Sequence, residues 1–112
     1  MLDVMRYIIV YENEEIVGFA SYTFIHEHLP LKSNVLYLFE IQVDREHRGH
    51  GIGQTLMDHI ERIALASEME EIRLTCFKEN PSFKWYKRMN YHLFLEYQDD
   101  AHLLELRKII QF

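Results

Sequence analysis

Arg48-Gly49-His50-Gly51-Ile52-Gly53 is the stretch of this sequence whose residue types and spacing suit a chemical task. The 112-residue chain has only four glycines, and three of them fall here. Before it runs an apolar, β-prone segment, Val35 to Val43; after it Leu56, Met57, Ile60, Ile63 and Ala64 recur at helical spacing. A strand, a glycine turn and a helix N-terminus in that order form an anion site, because the first-turn N–H groups lack partners and the helix dipole favours negative charge. Glycines let such a backbone curl and approach a phosphate with no Cβ in the way. Arg48 adds a cation. A dinucleotide fingerprint would need its third glycine at Gln54, and a P-loop needs Gly-Lys-Ser/Thr, which does not occur. The spacing that fits is Arg-x-x-Gly-x-Gly, carried by Arg48, Gly51 and Gly53.

Other chemistry-bearing residues are read more plainly. His26 and His28 stand two apart, but no third ligand lies at a convincing spacing, so they are taken as solvated or hydrogen-bonded histidines and no metal is expected. His47 and His50 flank the glycine turn, where a phosphate would favour their protonated form. Cys76 is the only cysteine, which rules out an internal disulfide, and its place in a probable strand makes it a buried, inert thiol.

The elements that must position the loop follow from periodicity and turn chemistry. Met5 to Tyr11 and Ile16 to Ile25 read as a hairpin around the polar turn Glu12 to Glu15, with Gly18 marking a bulge or a close approach. His26 to Pro30 closes the second strand. The Val35–Val43 strand, a helix from Gly53 to about Ser67, and a strand from Glu71 to Phe77 make a right-handed crossover with two parallel neighbours. Asn80 and Pro81 suit the start of a short helix ending at Met89, with Asn90 closing it in the left-handed conformation. Tyr91 to Tyr97 and His102 to Ile110 form a last hairpin around Gln98-Asp99-Asp100. Hydrophobic residues are 48% and aromatics 13%, as in a folded chain, and the whole reads as one domain, residues 1–112. A formal net charge of −6 argues against a nucleic-acid surface, and no apolar run is long enough to cross a bilayer. Without a disulfide or a signal peptide, the expected location is cytoplasmic or nuclear.

The glycine loop in its context, Val43-Asp44-Arg45-Glu46-His47-Arg48-Gly49-His50-Gly51-Ile52-Gly53, resembles the acetyl-CoA pyrophosphate loop of GNAT-superfamily N-acetyltransferases. From about Met5 to Ile110 the element order is similar to that core from its second strand onward. This implies an α+β fold, a twisted, mostly antiparallel sheet with one parallel crossover pair, flanked by helices. Tyr37-Leu38-Phe39-Glu40-Ile41-Gln42-Val43 together with Leu74-Thr75-Cys76-Phe77-Lys78-Glu79-Asn80 is similar to NatD-type N-terminal acetyltransferases, whose acceptors are histone tails beginning Ser-Gly-Arg-Gly. By this resemblance Ile41, Gln42 and Val43 offer backbone groups to the pantetheine arm. Arg48, Gly49, His50, Gly51, Ile52, Gly53 and Gln54 hold the pyrophosphate, and Asn80 contacts the pantetheine. Tyr86 lies near the thioester sulfur, one residue closer to Asn80 than is usual. Glu40 is the general base, and Tyr37 and Phe39 line the acceptor site. The chemistry asks for these types in any case: an ammonium must lose a proton before it attacks, and a thiolate leaves more readily beside an acid.

The expected function is acetyl-CoA-dependent transfer of acetyl to an amine, a protein N-terminal α-amine in the first instance. The alternatives are a small-amine (polyamine or aminoglycoside) acetyltransferase and a CoA-binding module without turnover. By the resemblance the chain starts at the family's second strand, so it is expected to be a minimal form, part of a longer protein, or a chain that a partner completes. Met5 to Tyr11 is then expected at a sheet edge, and its unpaired backbone and apolar side chains predict a homodimer.

Overall fold

The computed structural model describes residues 4–28, 32–96 and 102–110. The expected turn at Gln98–Asp100 and the loop residues Leu29 and Pro30 lie outside them. In chain order the elements are β1 (Arg6–Glu12), β2 (Glu15–His28), β3 (Ser33–Val43), α1 (Ile52–Ala66), β4 (Glu71–Phe77), α2 (Ser82–Arg88), β5 (His92–Glu96) and β6 (Leu103–Ile109). The six strands form one sheet in the order β1-β2-β3-β4-β6-β5. Every neighbouring pair is antiparallel except β3 and β4, which the α1 crossover makes parallel. This is the α+β arrangement that the periodicity and the resemblance imply.

Local chemistry accounts for the ends of the elements. The β1–β2 turn places Asn13 and Glu14 at φ 51° and 66°, the paired left-handed conformation that matches strand twist in a two-residue hairpin. Strand β2 is longer than its sequence suggests and runs through His26 and Glu27 to His28. An irregularity beyond Ile25, with Glu27 at φ 52°, absorbs the polar residues without ending the ladder. Helix α2 begins at Ser82 rather than Pro81, one residue late. The Asn80 side-chain oxygen still accepts from the Ser82 N–H at 2.9 Å, so the capping chemistry is as expected. Asn90, at φ 71°, ends that helix as anticipated.

Both helices pack on one face of the sheet. Leu56, Met57, Ile60 and Ala64 of α1 meet Ala20, Leu36, Leu38, Ile72 and Leu74, while Tyr86 and Tyr91 close the core beside Cys76. Gly18 shows both anticipated features. Strand β2 carries an extra residue beside it, where the pairing steps from Val10–Gly18 to Tyr11–Ile16. A Cβ on Gly18 would stand 3.0 Å from Ile52 Cγ2 and 3.1 Å from the Gln42 carbonyl oxygen, so its absence lets the start of α1 seat on the sheet.

The opposite face holds a charged cluster where alternation alone suggests solvent. Arg73 is wholly buried, with its Nε 2.5 Å from Glu71 Oε1 and its Nη1 3.7 Å from Glu105 Oε2. Arg107 reaches Glu71 Oε2 at 3.5 Å. The Phe94 ring, at an extra residue of β5, covers both guanidiniums at 4.5 and 4.6 Å.

Candidate active site

Strands β3 and β4 pair only from Val35–Glu71 to Leu38–Leu74. At that point β3 holds an extra residue, Phe39, because its register with β2 steps from Tyr22–Leu38 to Ser21–Glu40. The bulge bends the strand. Beyond it Ile41, Gln42 and Val43 stay paired to Ala20, Phe19 and Gly18 of β2, while the side toward β4 has no strand partner among the described residues. A V-shaped split thus opens in the middle of the sheet, with bare backbone along one arm.

The glycine loop closes the mouth of that split. Asp44 N–H donates to the Val17 carbonyl at 2.8 Å, and a turn of 3-10 helix over Arg45–His47 follows. The Arg48 Nε donates to the Val43 carbonyl at 3.1 Å, which folds the cation back over the end of β3. Gly49 and Gly51 both sit at φ +82°, a region that side chains resist, so the loop needs glycine at these positions. Gly51 caps α1, and its carbonyl accepts from both the Thr55 N–H and the Thr55 hydroxyl at 3.0 Å. The N–H groups of Ile52, Gly53 and Gln54 belong to the first turn and have no intrahelical acceptor. A 650 Å³ cavity meets them, lined by Ile41, Gln42, Val43, His47, Arg48, Gly49, Gly51, Ile52, Gly53, Gln54, Asn80 and Trp85 among others. His50 is exposed and is not part of this lining. His47 is: its Nδ1 lies 2.9 Å from Asp44 Oδ2 and its Nε2 3.6 Å from Glu12 Oε2. The hydrogen bond to Asp44, with the charges of Glu12 and Glu46, holds the imidazole above its usual pKa.

A second cavity, of 410 Å³, continues from the first through Ile41, Gln42, Asn80 and Ser82, and it brings Glu40 and Tyr86 into one chamber. Glu40 stands on the exposed strand arm, opposite Ser21. Tyr86 is buried, and desolvation, with Cys76 beside it, pushes its hydroxyl up to about 12. The shortened distance from Asn80 therefore does not keep Tyr86 out of the chamber. Thr75 and Cys76 complete the wall from β4, and burial raises the Cys76 thiol as expected for an inert cysteine. A third cavity, of 360 Å³, adjoins this chamber through Leu38, Phe39 and Thr75 and adds Ile25 and Tyr37. The Tyr37 hydroxyl is hydrogen-bonded to that of Thr75, and burial raises its pKa.

Thr75, Ser82 and Trp85 are lining residues to which the motif reading gave no role. Trp85 had one signal, its place one turn into a helix that must face the glycine loop; it now lies beside Gly53. His26 and His28 remain on β2, with the His28 ring 6.3 Å from that of Tyr37. Among the described residues no three His, Cys, Asp or Glu side chains gather to hold a metal. The arrangement offers a phosphate cradle, an extended backbone edge, a carboxylate and a protonated phenol along one continuous channel. That order suits an acyl thioester with a long phosphorylated handle.

Comparison with known proteins agrees with this order of parts. Residues 2–91 match the family model described as the acetyltransferase (GNAT) family. Among solved structures, the chain is similar to PaiA N-acetyltransferase from Thermoplasma acidophilum in complex with coenzyme A. The TM-score is 0.78 at 18% identity, over 94% of this chain and 60% of that one. A putative acetyl transferase from Pyrococcus furiosus gives 0.82 at 22% identity, over 88% of this chain and 66% of the other. The NatC complex bound to Gag peptide and CoA gives 0.79 at 18% identity, over 92% and 70%. The chain thus spans less than two thirds of the two archaeal proteins.

Proposed function

The chain belongs to the acetyltransferase (GNAT) family, and from that premise we propose that it transfers the acetyl group of acetyl-CoA directly to an amine, the α-amine of a peptide N-terminus. The observation that carries the reading is the unbroken passage from the phosphate loop, along the bare edge of β3, to a chamber holding both Glu40 and Tyr86. The pyrophosphate binds the first turn of α1 and Arg48, and the pantetheine lies as an added strand against Ile41, Gln42 and Val43. Asn80 borders both cavities and contacts the pantetheine between them.

In the reaction Glu40 accepts a proton from the ammonium, directly or through water, and the freed nitrogen pair attacks the thioester carbonyl. A backbone N–H on the bare arm of β3 stabilises the oxyanion. The C–S bond then breaks: Tyr86, a phenol that burial holds protonated well above neutral pH, gives its proton to the leaving thiolate, and the second proton that the nitrogen loses on becoming an amide restores the phenol, directly or through water. A peptide acceptor is supported by the resemblance to NatD-type enzymes, and the similar NatC structure holds a peptide. Copies of the chain associate through β1, the sheet edge that carries exposed Tyr7, Ile9 and Tyr11.

Purified protein, acetyl-CoA and a panel of three acceptors test the reading: a Ser-Gly-Arg-Gly peptide, an N-terminally blocked peptide with one lysine, and spermidine. Turnover of the free N-terminus alone is expected. Preference for the blocked peptide or for spermidine overturns the N-terminal assignment.

A further inference from the structure

The third cavity adjoins the chamber assigned to the reaction, and it shares Leu38, Phe39 and Thr75 with it. In the reading above, the amine nitrogen sits at Glu40 in that chamber, and this neighbouring cavity is available to its Cα substituent. Ile25, Tyr37, Leu38, Phe39 and Thr75 line it, and none of these side chains is charged at neutral pH. Its two hydroxyls are hydrogen-bonded to each other across β3 and β4, so the wall presents mainly carbon to a guest. The Tyr37 and Phe39 rings stand 5.2 Å apart, and Phe39 is 50% exposed, an apolar surface left open at the channel's edge.

We infer that this cavity is the pocket for the first side chain of a peptide acceptor, and that it takes an apolar chain such as leucine or methionine. The inference rests on the acetyl-transfer reading and narrows it. A lysine, arginine or glutamate side chain entering the pocket would lose hydration with no opposite charge to meet it. A serine would forgo the apolar contact that this lining offers. Tyr37 and Phe39 act here as specificity residues, with Ile25 as the far wall.

Peptides identical except at the first residue (Leu, Met, Ser, Lys and Glu) test this by kcat/KM with saturating acetyl-CoA. Leu and Met are expected to exceed Ser by about tenfold or more, since one or two methylenes in an apolar pocket are worth that much, with Lys and Glu lower still. Ile25→Asp should raise the Lys-first peptide relative to the Leu-first one by placing a carboxylate in the wall. Ile25→Ala, a milder change, should shrink the Leu-over-Ser ratio while acetyl-CoA affinity stays unchanged by calorimetry. A Ser-first or Lys-first preference in the unaltered protein overturns the pocket assignment and leaves the transferase reading standing. Turnover of no peptide at all, with acetyl-CoA still bound, overturns both.

Discussion

A Cβ built on Gly53 would stand 3.4 Å from Trp85 Cη2, an ordinary contact, whereas one on Gly51 meets nothing within 4 Å yet requires a left-handed backbone. Of these two glycines of one motif only Gly51 is required by its backbone, while Gly53 is the point at which α2 packs against the phosphate loop. Gly53→Ala should fold and bind acetyl-CoA nearly as the native protein does. Gly51→Ala should cost about 1–2 kcal/mol from the left-handed backbone alone, and Gly51→Glu should abolish most of the affinity by setting a like charge against the pyrophosphate. Calorimetric titration alongside thermal melts separates the two effects. Equal behaviour of Gly51→Ala and Gly53→Ala would contradict the assignment.

Glu40 and Tyr86 line one chamber, and the proposed reaction places them at opposite ends of the transfer. Glu40→Gln should reduce kcat by about 10²-fold or more with acetyl-CoA affinity nearly intact. Tyr86→Phe should slow the same step without raising KM for the acceptor. Single-turnover kinetics reads this, and native rates in both variants would assign the proton transfers to other groups.

His47 makes the loop sensitive to pH. Its folded pKa is raised, so the contribution of its protonated form is complete below the ordinary value and disappears as pH rises through the raised one. Acetyl-CoA affinity should fall as pH rises through that raised value in the folded protein, because a cation beside the phosphates is lost. His47→Gln should flatten the titration there, and an unchanged pH profile in this variant would remove His47 from the phosphate site.

Arg73 is buried between Glu71 and Glu105, so removing it takes a cation from two buried carboxylates, of which Glu71 keeps Arg107 at 3.5 Å. Arg73→Ala should lower stability by about 3–5 kcal/mol in denaturant unfolding. A loss below about 1 kcal/mol, the range of an exposed pair, would mean that water reaches the cluster.

Strand β1 has one strand neighbour, and Tyr7 is 61% and Tyr11 60% exposed along it. Light scattering after size exclusion should give a dimer, and Ile9→Lys should convert it to monomer while leaving acetyl-CoA binding intact. A native monomer at both dilute and concentrated loading would end the dimer proposal.

The sequence alone determined the phosphate loop and most of the element order, because both are written in local terms. A backbone at φ +82° strongly favours glycine, so Gly49 and Gly51 announce the turn. The 3.6-residue period of Leu56, Met57, Ile60 and Ala64 announces α1, and Asn80 and Asn90 bracket α2. What only the tertiary structure decided depends on pairings between distant strands. The split between β3 and β4 arises from one extra residue, Phe39, counted against β2, and no local pattern reveals a register step. Arg73 alternates along β4 like a solvent-facing residue, yet partners supplied by β5 and β6 bury it. The third cavity likewise needs Ile25, Tyr37 and Thr75 from three strands at once, and only the folded sheet places them around one opening.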